Sequence, residues 1–249
     1  MIEVVILGAL LGIVITISGV GAGVVTTPAL IVVAGLDPLS AVATGALFSA
    51  VLKVAISAQH LRTRMMSWRD AWTFLRISVP VTVVIALATG SLYARGFSNL
   101  VNQVTTWAVI GCGMVALASL YSAWVGISIE RAGRSVAAAV TGIFVGSTGV
   151  GGGIFVVPAL VRAHGLDVKR AVATSIPIGL ALSFAVSIGL SSNGVTDFTV
   201  VWWAVLGGVL SLPLAGWLFR IMPAHVVKLA TSSLISVSIL TLAIRAASA

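Results

Sequence analysis

Charge is nearly missing from this sequence. Of its residues 8% are Asp, Glu, Lys or Arg, where a soluble domain carries roughly 25%. So little charge cannot cover a water-facing surface. The acidic side is the scarcer: Glu3, Asp37, Asp70, Glu130, Asp167 and Asp197 are the whole set, and every one falls at a predicted helix end or loop. No carboxylate sits deep in an apolar run, which excludes an obvious proton relay or cation site of the kind that buried acids build in membranes. The single cysteine, Cys112, excludes an intramolecular disulfide and a thiolate metal cluster, and reads as a small packed apolar residue. Three histidines form no metal-ligand pattern. There is no Gly-x-x-x-x-Gly-Lys-Ser/Thr loop, so ATP does not drive the protein directly, and no cofactor is implied. No serine–histidine or paired-carboxylate constellation marks an enzyme.

What is present is hydrophobic length. The residues are 59% hydrophobic, with a mean hydropathy of +1.18. Several apolar runs reach the ~18–20 residues that cross a bilayer as a helix. The ~10-residue alternating strands of a membrane barrel are not seen. The chain therefore reads as an all-α, multi-pass membrane protein. Glu3 and the lack of an early Lys or Arg argue against a cleaved signal peptide. The net charge of +8 fits basic loops gathered on one membrane face, against anionic lipids, better than it fits nucleic acid. Trp68, Trp72, Trp124, Trp202, Trp203 and Trp217 stand near span ends as interface anchors.

The sequence repeats itself at an offset of 130 residues. "GVGAGVVTTPAL" (19–30) is matched by "GVGGGIFVVPAL" (149–160), and over positions 19–44 there are 14 identities in 26 without a gap. Gly, Pro, Asp and Thr align together, which biased composition does not produce. Two homologous halves follow, 1–128 and 133–249, forming one transmembrane domain, with the polar "ISIERAGRS" (127–135) between them. Each half holds a glycine-broken apolar segment, about 2–34 and about 135–164. Three clean spans follow it: about 39–60, 72–94 and 103–126 in the first half, and about 170–191, 198–219 and 226–245 in the second. That makes about eight hydrophobic segments.

Charge decides whether the broken segments cross. If they do, the basic residues divide seven against six, with Lys53 set aside inside a span. If each folds back at its glycines, they divide eleven against two, Arg95 and Arg245 being the pair opposite. The positive-inside rule selects the second arrangement. It gives each half a re-entrant helical hairpin plus three transmembrane helices, and it inverts one half relative to the other, a common transporter plan.

A helix break at membrane depth survives only where it is buried or lines a polar cavity. The second half-helix of each hairpin starts near Val24 and near Ile154, where the first N–H groups have no intrahelical partner and the helix dipole is positive. Gly21, Gly23, Gly151, Gly152 and Gly153, with Ala22, let a ligand approach the backbone. This is anion-binding chemistry, and two opposed tips could hold one small anion between them. The competing role for such glycines is close helix packing, the better account of Gly111, Gly113, Gly207 and Gly208. Thr26, Thr44, Thr174 and Ser175 offer hydroxyls near the tips, although hydroxyls in helices also bond back to their own backbone. Lys53 either attracts the anion or snorkels to the interface. Asp37 and Asp167 read as caps of the helices that follow.

The duplicated Gly-x-Gly-x-Gly…Pro-Ala-Leu segments, the Ala-Val-Ala-Thr after each (41–44 and 171–174) and the basic loops resemble the TauE/SafE family of membrane permeases. The resemblance covers nearly the whole chain. "NGVTDF" (193–198) is similar to the family's second-half loop, whereas "RTRMMSW" (62–68) lacks the corresponding Gly and Asp. The resemblance implies a secondary transporter, an exporter of sulfite or of organosulfur anions, in a bacterial inner membrane. An anion channel and a structural membrane subunit remain the alternatives, and the residues leave the oligomeric state open.

The hairpin arrangement is tested by reporter tags. Tags in the 62–70 loop and the 162–170 loop report the same membrane face; opposite faces would restore the crossing arrangement.

Overall fold

The computed structural model describes residues 1–18, 23–60, 66–121, 124–149, 153–162, 164–221 and 224–248. They form ten helices: α1 (Ile2–Ser18), α2 (Gly23–Val33), α3 (Pro38–His60), α4 (Trp68–Ala94), α5 (Ser98–Tyr121), α6 (Trp124–Thr148), α7 (Gly153–Arg162), α8 (Val168–Ser191), α9 (Phe198–Ile221) and α10 (Ala224–Ser248). Among the described residues there is no strand. The eight expected segments become ten helices because each broken segment is two. Four helices, at Pro38–Ser57, Trp68–Ala94, Arg170–Ser191 and Phe198–Leu218, are long and apolar enough to cross a membrane, and α5 and α10 are 24 and 25 residues long.

Two boundaries differ from the sequence reading. The third span begins earlier, at Ser98, and the polar 127–135 stretch is no loop but lies within α6. Gly133 interrupts that helix with φ 79° and ψ 167°, a conformation open to glycine. The polar residues expected in a linker thus form a helical lead-in, and the apolar part of α6 begins after the interruption.

The 130-residue offset persists in the architecture. α2 and α7 start at Gly23 and Gly153, α3 and α8 at Pro38 and Val168, and α4 and α9 at Trp68 and Phe198. Both α2 and α7 end before a glycine in the left-handed region, Gly35 (φ 68°) and Gly165 (φ 70°), the usual way to stop a helix. Both carry a proline in their sixth position, Pro28 and Pro158, which withdraws one intrahelical hydrogen bond from the first turn.

Helix directions follow from close contacts. α1 packs on α9 with Gly8 against Ala204 and Gly12 against Gly208 and Ser211, so the two run parallel. α6 packs on α4 with Gly142 against Ser78 and Gly146 against Thr82, also parallel. α8 runs parallel to α4, Gly189 meeting Ala86 and Gly90 meeting Asn193. α6 and α8 therefore point the same way, and α7 between them returns as the second arm of a hairpin. Phe144 and Phe155, on the two arms, stack at 5.1 Å between ring centroids. α3 runs against α8: Thr44 meets Asp197 and Lys53 meets Gly179 and Ser183. The start of α4 and the α7–α8 loop touch, since His164 Nδ1 lies 3.0 Å from Asp70 Oδ1. The contact puts residues 70 and 164 at the same end of the helix bundle.

The first helix of each broken segment is thus packed on the other half, α1 on α9 and α6 on α4. α3 and α8 occupy the centre, holding Leu39, Phe48, Leu52, Ile178, Leu182 and Leu190 fully buried. α4 and α9 present Val84, Leu87, Leu206, Leu210 and Leu214 outward, as a lipid-facing surface does. Small residues make the parallel contacts possible, because packing rather than hydrophobic burial drives helix association in lipid. A methyl group at Gly12 would lie 2.5 Å from Ser211 Oγ and 2.9 Å from the Gly208 carbonyl oxygen, and one at Gly142 would lie 2.8 Å from the Ser78 carbonyl oxygen.

Gly12→Val and Gly142→Val should therefore each destabilise the protein by at least the ~1–3 kcal/mol of ordinary overpacking, read as a lower thermal midpoint in detergent. Gly111→Ala, where a methyl group meets open space, should leave the midpoint unchanged.

Candidate functional site

The two helix breaks converge on one stretch of α5. Val24, the second residue of α2, is buried and comes within 3.5 Å of the space beside Gly113. Cys112 Sγ lies 4.0 Å from Thr148 Oγ1 at the end of α6. Neighbouring residues of α5 therefore touch the start of α2 and the end of α6. Gly149 closes α6 with a 2.8 Å bond from its N–H to the Val145 carbonyl. Its φ is 61° and Val42 Cγ1 stands 2.7 Å from where a side chain would begin, so conformation and space both demand glycine there. Gly23 and Gly153 are the first residues of α2 and α7. Gly21, Ala22, Gly151 and Gly152 lie outside the described residues, as does the side chain of Ile154.

Thr26 is the most telling of the expected residues. It is buried on the side of α2 that faces α3, with its Cγ2 packed against Gly45, and its hydroxyl has no hydrogen-bond partner. A buried hydroxyl left without a partner costs on the order of 1–3 kcal/mol and marks a place where a ligand or water completes the bonding.

Thr44 and Thr174 have a different occupation. Thr44 Oγ1 accepts the Asp197 N–H at 3.1 Å, and Thr174 Oγ1 accepts the Ser67 N–H at 3.0 Å. Both pairs are related by the 130-residue offset. Each threonine thereby receives an amide at the entrance to α9 or α4. Ser175 Oγ donates to the Val172 carbonyl of its own helix at 2.8 Å. Asp37 caps α3 as expected: it accepts the Ser40 N–H at 3.0 Å and the Ser40 and Tyr93 hydroxyls at 2.9 and 3.1 Å. Asp197 accepts the Val200 N–H in the same way, at 3.0 Å.

Lys53 does not snorkel. It is 7% exposed and faces α8, where its ammonium donates to the Gly179 carbonyl at 3.2 Å and to Ser183 Oγ at 3.0 Å. No described carboxylate pairs with it. It stands eleven residues beyond Val42 on α3, ~16 Å along the helix axis, so it is not beside the hairpin tip. One cluster has no forerunner in the sequence. Asp70 accepts the Ser67 hydroxyl and bonds His164, while His164 Nε2 is buried with no partner. Asp70 and His164 are 94 positions apart and share no motif, so only the folded chain brings them together.

With this geometry in view, the comparisons are informative. The family model described as sulfite exporter TauE/SafE matches residues 4–242. The chain belongs to the TauE/SafE sulfite exporter family. A probable membrane transporter protein, y4hK of Sinorhizobium fredii (strain NBRC 101917 / NGR234), is 25% identical over 179 residues, covering 69% of each chain. No solved structure matches. The protein is a membrane transporter of this TauE/SafE family, consistent with its several apolar helices.

The two kinds of threonine separate by mutation. Thr44→Val orphans the Asp197 amide and should cost ~1–3 kcal/mol, seen as a lower thermal midpoint. Thr26→Val removes an unpartnered hydroxyl, so the midpoint of the ligand-free protein should hold or rise.

Proposed function

We propose that this protein carries a small oxyanion, sulfite or an organosulfonate or organosulfur carboxylate, out of the cell across a bacterial inner membrane. The anion is held between the N-termini of α2 and α7. The observation that carries the reading is the convergence of both helix breaks on Cys112 and Gly113, with the hydroxyl of Thr26, on the α3-facing side of α2, left without a partner. Free amides at a helix start and an unspent hydroxyl are donors. Donors without acceptors at membrane depth suit an anion. The glycine runs 19–23 and 149–153 keep side chains from blocking the amides. The printed family description supplies sulfite as the first candidate.

The two halves act as an inverted pair that alternates access. Support comes from α3 and α8, which occupy equivalent places in the repeat and run antiparallel, and from the matched pairings α1–α9 and α6–α4. Rocking one half against the other about the α3–α8 contact would open the tips first to one face, then to the other.

Reconstitution in liposomes tests this. Labelled sulfite should enter saturably and be stimulated by unlabelled sulfite on the far side; a channel shows no such trans-stimulation. Gly152→Val, which crowds the second tip, should abolish flux and also the ligand-induced rise in thermal midpoint. A site filled at about 100 times its Kd contributes ~2.7 kcal/mol, well within reach of a thermal-shift measurement. Normal flux in that variant would reduce the glycines to packing devices.

A further inference from the structure

Four buried side-chain polar atoms lack a partner among the described residues: Thr26 Oγ1, Ser49 Oγ, Ser57 Oγ and His164 Nε2. Three of these four lie along one line. Thr26 packs on Gly45, and from Gly45 the positions Ser49, Lys53 and Ser57 follow at intervals of four on α3. That spacing stacks them on one helix face, one turn or ~6 Å apart. Across from them α8 carries the equivalent positions Gly179, Ser183 and Ser187, each 130 residues on. The seam is buried: Ser49 is 2% exposed, Ser57 9%, Ser183 2% and Ser187 3%. Its centre is the Lys53 ammonium, bonded to Gly179 and Ser183 and to no described carboxylate.

Hydrophobic packing does not call for such a line. A buried ammonium without a counter-charge is costly, and so is each unpartnered hydroxyl. The three would be relieved one after another by a mobile species that carries negative charge and accepts hydrogen bonds. It must be small, since Gly179 is what leaves room for the ammonium, 3.2 Å from the site of a would-be methyl group. A single charge on it makes a neutral pair with Lys53. A double charge would leave a net negative charge in the low-dielectric interior.

We propose that the α3–α8 seam is the path by which the anion reaches the hairpin tips, passing Ser57, Lys53 and Ser49 in turn, and that it crosses as a monoanion neutralised by Lys53. This deepens the transport reading and rests on it. Lys53 sets the charge state that crosses, and the serines are its transit contacts.

The test uses the full chain in liposomes with labelled sulfite. Ser49→Ala with Ser57→Ala should leave the thermal midpoint equal or higher and lower the flux roughly tenfold, the effect of about 1.4 kcal/mol on a barrier. Lys53→Met should abolish flux while sulfite still raises the midpoint by binding at the tips. In the unaltered protein, methanesulfonate, a fixed monoanion, should compete with sulfite, and sulfate, a fixed dianion, should not. Unchanged flux in the double serine variant overturns the seam and leaves the transport reading standing, as does sulfate competing as well as methanesulfonate. If Lys53→Met fails to fold, the serine variant and the competition decide alone. Absence of any saturable sulfite or sulfonate flux in the unaltered protein overturns both the seam and the transport reading.

Discussion

An amide N–H or carbonyl placed in hydrocarbon has no water to bond with, and each one left alone costs several kcal/mol. A chain that breaks two helices inside a membrane must therefore bury both breaks in protein. Much of this architecture answers that demand. α2 packs on α3 and on α10, α7 packs on α6 and α8, and α5 closes over both breaks at Cys112 and Gly113. The wrapping helices approach closely because their contact positions are small. Glycine thus has two roles that are easily confused. At 149 it permits a left-handed turn against Val42, and at 8, 12, 142 and 146 it permits one helix backbone to lie on another.

Polar side chains inside this shell divide by whether their bonds are complete. Thr44 and Thr174 spend their oxygens on the amides that open α9 and α4, Ser175 spends its own on α8, and Asp37 spends its carboxylate on Ser40 and Tyr93. The two threonine bonds hold the halves together at matched points. Thr26, Ser49 and Ser57 spend nothing. Chemistry alone, a buried hydroxyl, does not separate the two groups, yet one is framework and the other keeps its hydrogen-bonding capacity unused.

Much of the fold was legible before any coordinates. The paired glycine runs located the breaks, and Asp37 announced the cap of α3. What was not legible depends on distance along the chain. Gly8 and Gly12 look like any glycines in an apolar helix, and nothing nearby indicates that their partners are Ala204 and Gly208. His164 and Asp70 meet only because the α7–α8 loop folds against the start of α4. Lys53 was visible as a buried charge, but whether it reached lipid headgroups or α8 depended on which face of α3 the second half covers. The 127–135 stretch misled because its polarity suggested a loop, while its composition, with a single glycine at 133, also suits a helix.

The exchange of first helices has a consequence for how the protein is made. α1 ends at Ser18, whereas the helix it lies on begins at Phe198. At ~5–20 residues per second, α1 waits roughly 10–40 s in the bilayer before α9 exists. Over that time its row of glycines faces lipid or a substitute neighbour. α6 meets no such delay, since α4 precedes it. The two equivalent hairpins therefore mature at different points of synthesis, and the nascent chain holds one packed hairpin and one unpacked hairpin until its penultimate helix emerges.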